Sequence, residues 1–133
     1  MTSDHAPETT SLRVLVADDF EPVRTLAVRM LAKLGHEDAD EAEDGQQAVD
    51  ALAAKKYDVL FLDLSMPRLT GQEVVRWLNA HPDRREGLTI VVISASAHEE
   101  RPVLNELGVT HVLPKPFRLQ QIADVLEGIR ATS

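Results

Sequence analysis

Short runs of apolar residues alternate along the chain with longer segments in which apolar residues recur every three or four positions. The short runs are typical of strands buried on both faces, and the longer segments have the period of amphipathic helices. One run is polar and has little β propensity, so we expect it at an edge of the sheet. The predicted strands are Leu12–Ala17, Asp38–Ala42 (the polar run), Tyr57–Leu62, Leu88–Ile93 and His111–Leu113.

Five helices are predicted in the periodic segments. The first begins at Pro22 and ends before Gly35, because proline suits a first helical turn and glycine commonly follows a last one. Its predicted inward residues are Val23, Leu26, Ala27, Met30, Leu31 and Leu34. The other helices are predicted over Gly45–Ala54, Gly71–Ala80, Glu100–Leu107 and from Leu119 to about Arg130. We expect the helix at Glu100 to be short, since Pro102 fits only in a first turn and an interior proline costs about 3 kcal/mol.

Strands that alternate with helices predict an α/β fold, in which a five-stranded parallel sheet is joined by right-handed crossovers. A chain of 133 residues is long enough for one such domain with a buried core, which we place at residues 12–133. Residues 1–11 are rich in Thr, Ser, Pro and acids and have no apolar period, so we predict a flexible N-terminal tail there.

The composition excludes several classes of function. The chain has no cysteine, which removes disulfides, thiolate catalysis and cysteine-based zinc sites. Its net charge of −8 argues against direct binding of nucleic acid, which usually needs a basic patch. No apolar run approaches the roughly 20 residues of a membrane helix, and the amino terminus does not resemble a signal peptide. We therefore expect a cytoplasmic protein without membrane insertion.

Polar side chains follow four of the predicted strands, at the point where each strand ends. Asp18 and Asp19 follow the first strand, Asp63 follows the third, Ser94 the fourth and Lys115 the fifth. The carboxyl ends of parallel strands share one edge of the sheet, where open α/β folds bind their ligands. The sequence therefore predicts that three carboxylates, a hydroxyl and an ammonium group converge on one crevice.

These groups suit a divalent cation and a phosphoryl group. Neighbouring strands lie about 4.8 Å apart, so acids at adjacent strand ends can share a cation that relieves their repulsion. Oxygen ligands with positions left for water favour Mg²⁺, with Mn²⁺ expected to substitute, whereas Ca²⁺ needs more ligand oxygens. A carboxylate beside such a metal can form an aspartyl phosphate, with Lys115 and Ser94 as stabilisers. We predict Asp63 as the nucleophile, because the adjacent Asp18 and Asp19 suit metal binding.

The chain contains the segments VLVADDFEPVR, LFLDLSMPRLTG, VVISASA and LPKPF, in this order. Together they resemble the receiver domain of two-component response regulators. The combination of DDF with EAEDG is similar to the chemotaxis response regulators in particular. The resemblance covers residues 12–130, which is nearly the whole sequence. It implies a three-layer, doubly wound (βα)5 fold of the flavodoxin-like type, with strand order 2-1-3-4-5.

The resemblance also implies a role for each of these residues. Asp63 would accept a phosphoryl group from a histidine kinase or a phosphotransfer protein. The groups that would bind Mg²⁺ are the side chains of Asp18, Asp19 and Asp63 and the backbone carbonyl of Ser65. Ser94 would be the switch hydroxyl of the family, and Lys115 the lysine that contacts the phosphoryl group. The family's peptide bond before the residue matching Pro116 is cis.

The chain departs from the family pattern in the last strand. The position three residues before the lysine is Tyr or Phe in many receivers and is Val112 here, which puts an aromatic switch in doubt. Ser65 and Ser96 occupy positions that modulate phosphoryl lifetime in the family. Both are small and uncharged, so they predict neither fast nor slow hydrolysis.

The leading hypothesis is a phosphoacceptor switch that acts on a protein target still to be identified, rather than an enzyme with an external substrate. We expect no output domain, because the closing helix leaves only three residues after Arg130. One alternative is a fragment of a longer regulator or hybrid histidine kinase. Another is a pseudo-receiver that is not phosphorylated, although such domains typically lose one of the acidic, hydroxyl or lysine positions. A phosphatase of the haloacid dehalogenase type would need an Asp where Ser65 stands.

Overall fold

The computed structural model describes residues 12–109 and 111–132, so the predicted tail at 1–11 lies outside the described residues. The strands are β1 (Val14–Ala17), β2 (Asp40–Ala42), β3 (Val59–Asp63), β4 (Thr89–Ser94) and β5 (His111–Pro114). The helices are α1 (Glu21–Lys33), α2 (Gly45–Ala54), α3 (Gly71–Asn79), α4 (Pro82–Arg85), α5 (Ala97–Glu106) and α6 (Leu119–Thr132). None of these helices is long and apolar enough to cross a membrane.

All five strands pair in parallel, in the order β2-β1-β3-β4-β5. The predicted fold class and strand order are confirmed, and the polar β2 lies at an edge of the sheet as expected. Successive residues of a strand point to opposite faces of the sheet, which separates the core into two clusters. In β3, for example, Leu60 and Leu62 belong to one cluster, and Val59 and Phe61 belong to the other.

The helices cover both faces of the sheet and complete three layers. Apolar residues of α2, α3 and α5 pack with Leu60 and Leu62. Those of α1 and α6 pack with Val59 and Phe61 on the opposite face. Every residue of β3 is buried, as a central strand between two helical layers requires.

Helix α5 begins one turn earlier than predicted, at Ala97, so that Pro102 lies inside the helix. Proline has no N–H to donate to the carbonyl of His98, and one helical hydrogen bond is therefore lost. Burial on both sides of the proline compensates, because Ala97 is 8% exposed and Leu104 is fully buried. The expectation that Pro102 must lie in a first turn was wrong, since tertiary packing outweighed local preference.

Two further differences concern helices. The one-turn helix α4 was not predicted, and it begins at Pro82 in the connection between α3 and β4. In α1 the buried residues are Arg24, Ala27 and Leu31, whereas the predicted inward residue Leu26 is 45% exposed. The buried face of α1 is therefore turned away from Leu26 and includes a charged side chain.

Candidate functional site

The carboxyl ends of β1, β3, β4 and β5 bring the predicted polar residues to one edge of the sheet. Asp18 directly follows β1, and Asp63 is the last residue of β3. The strand register pairs Ala17 with Leu62, so the next residues, Asp18 and Asp63, lie side by side at the ends of adjacent strands. Ser94 ends β4, the other neighbour of β3.

Asp18, Asp19 and Asp63 form a compact group in which one oxygen from each lies within 4.8 Å of the others. Asp18 and Asp63 are only 1% and 5% exposed, while Asp19 is open to solvent. Carboxylates this close and this buried repel one another unless a cation lies between or beside them. The three carboxylates that were predicted to bind metal therefore lie close enough to share one ion.

Lys115 supplies a positive charge to this group. Its Nζ atom donates a hydrogen bond to Oδ1 of Asp63 at 3.2 Å and forms an ion pair with Oδ2 of Asp18, also at 3.2 Å. Burial lowers the pKa of Lys115, but the charges of Asp63 and Asp18 outweigh burial and hold the pKa above its ordinary value. The ammonium is thus a stable charge between two carboxylates.

The carboxyl group of Asp63 is the most perturbed acid of the site. Burial raises its pKa to about 6, the negative charge of Asp18 adds to this rise, and Lys115 opposes it. The group is still mostly ionised at neutral pH, but water solvates its charge poorly because the carboxylate is buried. A buried carboxylate of raised pKa that faces other charges is a typical feature of functional sites.

The main chain of Asp18 is fixed by two hydrogen bonds. Its N–H donates to the carbonyl of Ala42 at 3.1 Å, and its carbonyl accepts from Nη1 of Arg24 at 2.8 Å. The side-chain Oδ1 accepts the N–H of Phe20 at 2.9 Å. Oδ2 is buried and accepts no well-aligned hydrogen bond from the described residues, although Lys115 is near it. This oxygen is therefore available to a cation.

The loop that follows Asp63 is held close to two helix starts by glycines. A Cβ atom on Gly71 would lie 2.6 Å from the carbonyl oxygen of Asp63 and 2.7 Å from Cα of Leu64. A Cβ atom on Gly45 would overlap the backbone of Leu69 in the same way. Gly71 also donates its N–H to the carbonyl of Leu64 at 2.9 Å. The absence of side chains at both glycines thus sets the path of the loop.

The two predicted serines lie at the rim of this group. Ser94 is 6% exposed, and its Oγ accepts the N–H of Ser96 at 2.9 Å. Its carbonyl accepts the N–H of Lys115 at 3.0 Å, and the Lys115–Pro116 peptide bond is cis, as the resemblance implied. Ser65 is exposed in the loop after β3. Among the described residues, neither serine forms a hydrogen bond with the three carboxylates, so their roles stay predictions.

Sequence reasoning did not identify Arg24, which bonds to the Asp18 carbonyl and forms an ion pair with Glu41. The signal was present in the sequence, since Arg24 is spaced three and seven residues before Ala27 and Leu31 on one helical face. A charged residue at such a position is almost never fully buried unless it has a partner. The pattern therefore predicts a buried partner for Arg24.

The oxygen donors fit a magnesium ion. The group offers three carboxylates on adjacent elements, and Oδ2 of Asp18 is a buried oxygen that accepts no well-aligned hydrogen bond from the described residues, with Lys115 Nζ at 3.2 Å. Hard oxygen ligands of limited number, with positions left for water or phosphate, are what Mg²⁺ requires. The donor set contains no sulfur or imidazole that would favour zinc.

Comparisons with known proteins agree with this geometry. Residues 14–127 match the family described as the response regulator receiver domain. The response regulator MprA of Mycobacterium tuberculosis strain H37Rv is 39% identical over 113 residues, which cover 84% of this chain and 47% of MprA. The chain thus spans about half the length of the curated relatives that it matches.

Solved structures show the same similarity in three dimensions. The chemotaxis response regulator CheY4 of Vibrio cholerae superimposes with a TM-score of 0.81 at 26% identity, over 90% of this chain and 99% of that one. TrrA of Thermotoga maritima, solved with Mg²⁺ and BeF, gives 0.77 at 26% identity, over 89% and 98%. The receiver domain of the sensor histidine kinase PA1611 of Pseudomonas aeruginosa PAO1, with magnesium in its active-site cleft, gives 0.82 at 25% identity, over 92% and 99%.

Proposed function

Because the chain belongs to the response regulator receiver family, we propose that Asp63 accepts a phosphoryl group in a magnesium-dependent reaction. The observation that carries this proposal is the arrangement of three carboxylates within 4.8 Å and one ammonium at 3.2 Å from two of them. This arrangement combines a nucleophile, a cation-binding group and a fixed positive charge. The domain would act as a signalling switch rather than on an external substrate.

The proposed donor is a phosphohistidine of a histidine kinase or of a phosphotransfer protein. A carboxylate oxygen of Asp63 attacks phosphorus and forms an O–P bond, while the P–N bond of the donor breaks. The imidazole nitrogen leaves with the electron pair of that bond and then takes up a proton. Asp63 must be ionised for this attack, and its pKa of about 6 leaves it mostly ionised at neutral pH.

We propose that Asp18, Asp19, Asp63 and the backbone carbonyl of Ser65 hold Mg²⁺, with Mn²⁺ able to substitute. The bound cation would neutralise negative charge on the oxygens of the transferred group. The buried Oδ2 of Asp18 supports this assignment, because it accepts no well-aligned hydrogen bond from the described residues and already lies beside the Lys115 cation. So do the magnesium-containing structures of the related TrrA and PA1611 receiver domains.

Lys115 and Ser94 complete the proposed site. The Lys115 ammonium already lies 3.2 Å from Asp63, where it can contact an oxygen of a phosphoryl group on that residue. Ser94 lies at the end of the neighbouring strand and would donate its hydroxyl proton to another such oxygen. Val112, in the last strand, is half-buried and packs against the core cluster that contains Leu60. The last strand therefore has no aromatic side chain at this position to take part in a switch with Ser94.

Phosphorylation would act through contacts with a cytoplasmic partner protein. We also propose that the receiver domain spans residues 12–133.

The test is phosphate incorporation from a small acyl phosphate, with Mg²⁺ or with a chelator, separated on a phosphate-affinity gel. We expect labelling of the wild type with Mg²⁺ and loss of labelling in Asp63→Asn. Asp83→Asn is the matched control, because Asp83 is an exposed acid on α4. Labelling of Asp63→Asn equal to that of the wild type would contradict the assignment of Asp63. Metal-independent labelling would contradict the role of the acidic group.

A further inference from the structure

Arg24 is a charged side chain on the buried face of α1, with only 8% of its surface exposed. Its Nε atom forms an ion pair with Oε1 of Glu41 at 2.9 Å, and its Nη1 atom donates to the carbonyl of Asp18 at 2.8 Å. The Glu41 side chain is 46% exposed, so solvent weakens this ion pair and it stabilises the fold little. Stability alone is thus a weak reason for a guanidinium at this position.

The carbonyl that Arg24 contacts belongs to the peptide group joining Asp18 to Asp19. A peptide group is planar, so a hydrogen bond to its oxygen restrains the backbone dihedrals on both sides. These dihedrals set the directions in which the side chains of Asp18 and Asp19 leave the main chain. Among the described residues, Arg24 is the only side chain that bonds to the main chain of Asp18.

We propose that Arg24 is a positioning residue for the metal site, which holds the Asp18–Asp19 peptide so that both carboxylates face Asp63. This inference rests on the proposed function, because it presupposes that the acids bind Mg²⁺. Partners behind metal ligands orient those ligands, and their loss typically weakens metal binding by about 10- to 100-fold. Arg24 would orient the two acids in this way, through its hydrogen bond to the main-chain carbonyl of Asp18.

The sign of the effect distinguishes positioning from electrostatics. Arg24 is a cation close to the acidic group, so its charge by itself opposes the binding of Mg²⁺. If charge were its only influence, the neutral variant Arg24→Met would bind Mg²⁺ more tightly than the wild type. If Arg24 positions the two acids, the same variant binds Mg²⁺ more weakly.

The experiment is titration of Mg²⁺ into the wild type and variants at pH 7 by calorimetry, with thermal unfolding of each protein in chelator. We expect about a 10-fold weaker affinity for Arg24→Met. An intermediate affinity is expected for Arg24→Lys, which retains the charge and N–H donors but not the planar guanidinium fork. Glu41→Gln leaves the bond to Asp18 in place and should retain wild-type affinity. Leu31→Ala is the control for lost stability, because Leu31 is fully buried and lies about two helical turns beyond Arg24 on the same helix.

Unchanged or tighter binding by Arg24→Met would overturn the inference. So would an equal loss of affinity in Leu31→Ala, since that result would assign the effect to general destabilisation. If Arg24→Met does not fold, Arg24→Lys decides, and wild-type affinity in that variant overturns the inference. Failure of the wild type itself to bind Mg²⁺ would instead overturn the proposed function, and the inference with it.

Discussion

Magnesium affinity should depend on pH in a range where ordinary aspartates are fully ionised. The metal and the proton compete for Asp63, whose pKa is about 6 because it is buried beside Asp18. At pH 5 roughly one Asp63 side chain in eleven is ionised, so the apparent dissociation constant should be about 11-fold larger than at pH 8. An aspartate with the ordinary pKa of about 3.9 would change it by only about 8%.

The assay is calorimetric titration of Mg²⁺ between pH 5 and pH 8, in buffers of equal ionic strength. Asp63→Asn is the control. This variant should bind Mg²⁺ more weakly, and its affinity should show no change with a midpoint near pH 6. Lys115→Met should move the midpoint of the wild-type profile to higher pH, because Lys115 lowers the pKa of Asp63. Removal of the ammonium leaves the ionised form of Asp63 less stabilised.

A profile that stays flat down to pH 5 would refute this reasoning. It would mean that Asp63 is ionised with an ordinary pKa, and that burial and Asp18 do not act on it as the geometry indicates. A midpoint that moves to lower pH in Lys115→Met would contradict the sign assigned to the ammonium.

Two substitutions test the backbone around the site and in α5. Gly71→Ala should destabilise the protein by roughly 1–3 kcal/mol, measured by urea unfolding, because its Cβ would overlap the carbonyl of Asp63. Gly128→Ala, where a Cβ meets nothing within 4 Å, is the matched control and should be neutral or stabilising. Pro102→Ala should raise the unfolding free energy by about 2 kcal/mol. The restored helical hydrogen bond stabilises the folded state, and the greater freedom of the unfolded chain offsets part of that gain. For Gly71→Ala and for Pro102→Ala, an unfolding midpoint equal to that of the wild type would contradict the expectation for that variant.

The position of the site could be predicted because it depends on strand ends. Apolar runs locate the strands, and parallel pairing then brings the residues after them to one edge, whatever the details of the helices. Asp18, Asp63 and Lys115 follow from this argument, and the Lys115 ammonium lies within ion-pair distance of both acids. Their separation in sequence did not matter, since the topology connects them.

Features that depend on packing between distant elements were not predictable in the same way. Arg24 is explained by Glu41 on the neighbouring β2 and by the Asp18 carbonyl, and no local pattern specifies either partner. The start of α5 depends on burial of Ala97, which local proline preference cannot anticipate. Leu26 fits the apolar stripe of α1 but is exposed, because the sheet covers only part of that stripe.

Lys115 gives the acidic centre a tethered counter-ion. Three ionised carboxylates would leave a charge of −3 in the crevice, and the ammonium at 3.2 Å from Asp18 and Asp63 reduces it to −2. We therefore expect the domain to fold without metal, in contrast to small domains that fold only around an ion. In the proposed reaction a divalent ion takes over this charge balance and leaves the ammonium to the phosphoryl group. The four-carbon stem of lysine is flexible, so the ammonium can move from the carboxylates to the phosphoryl group.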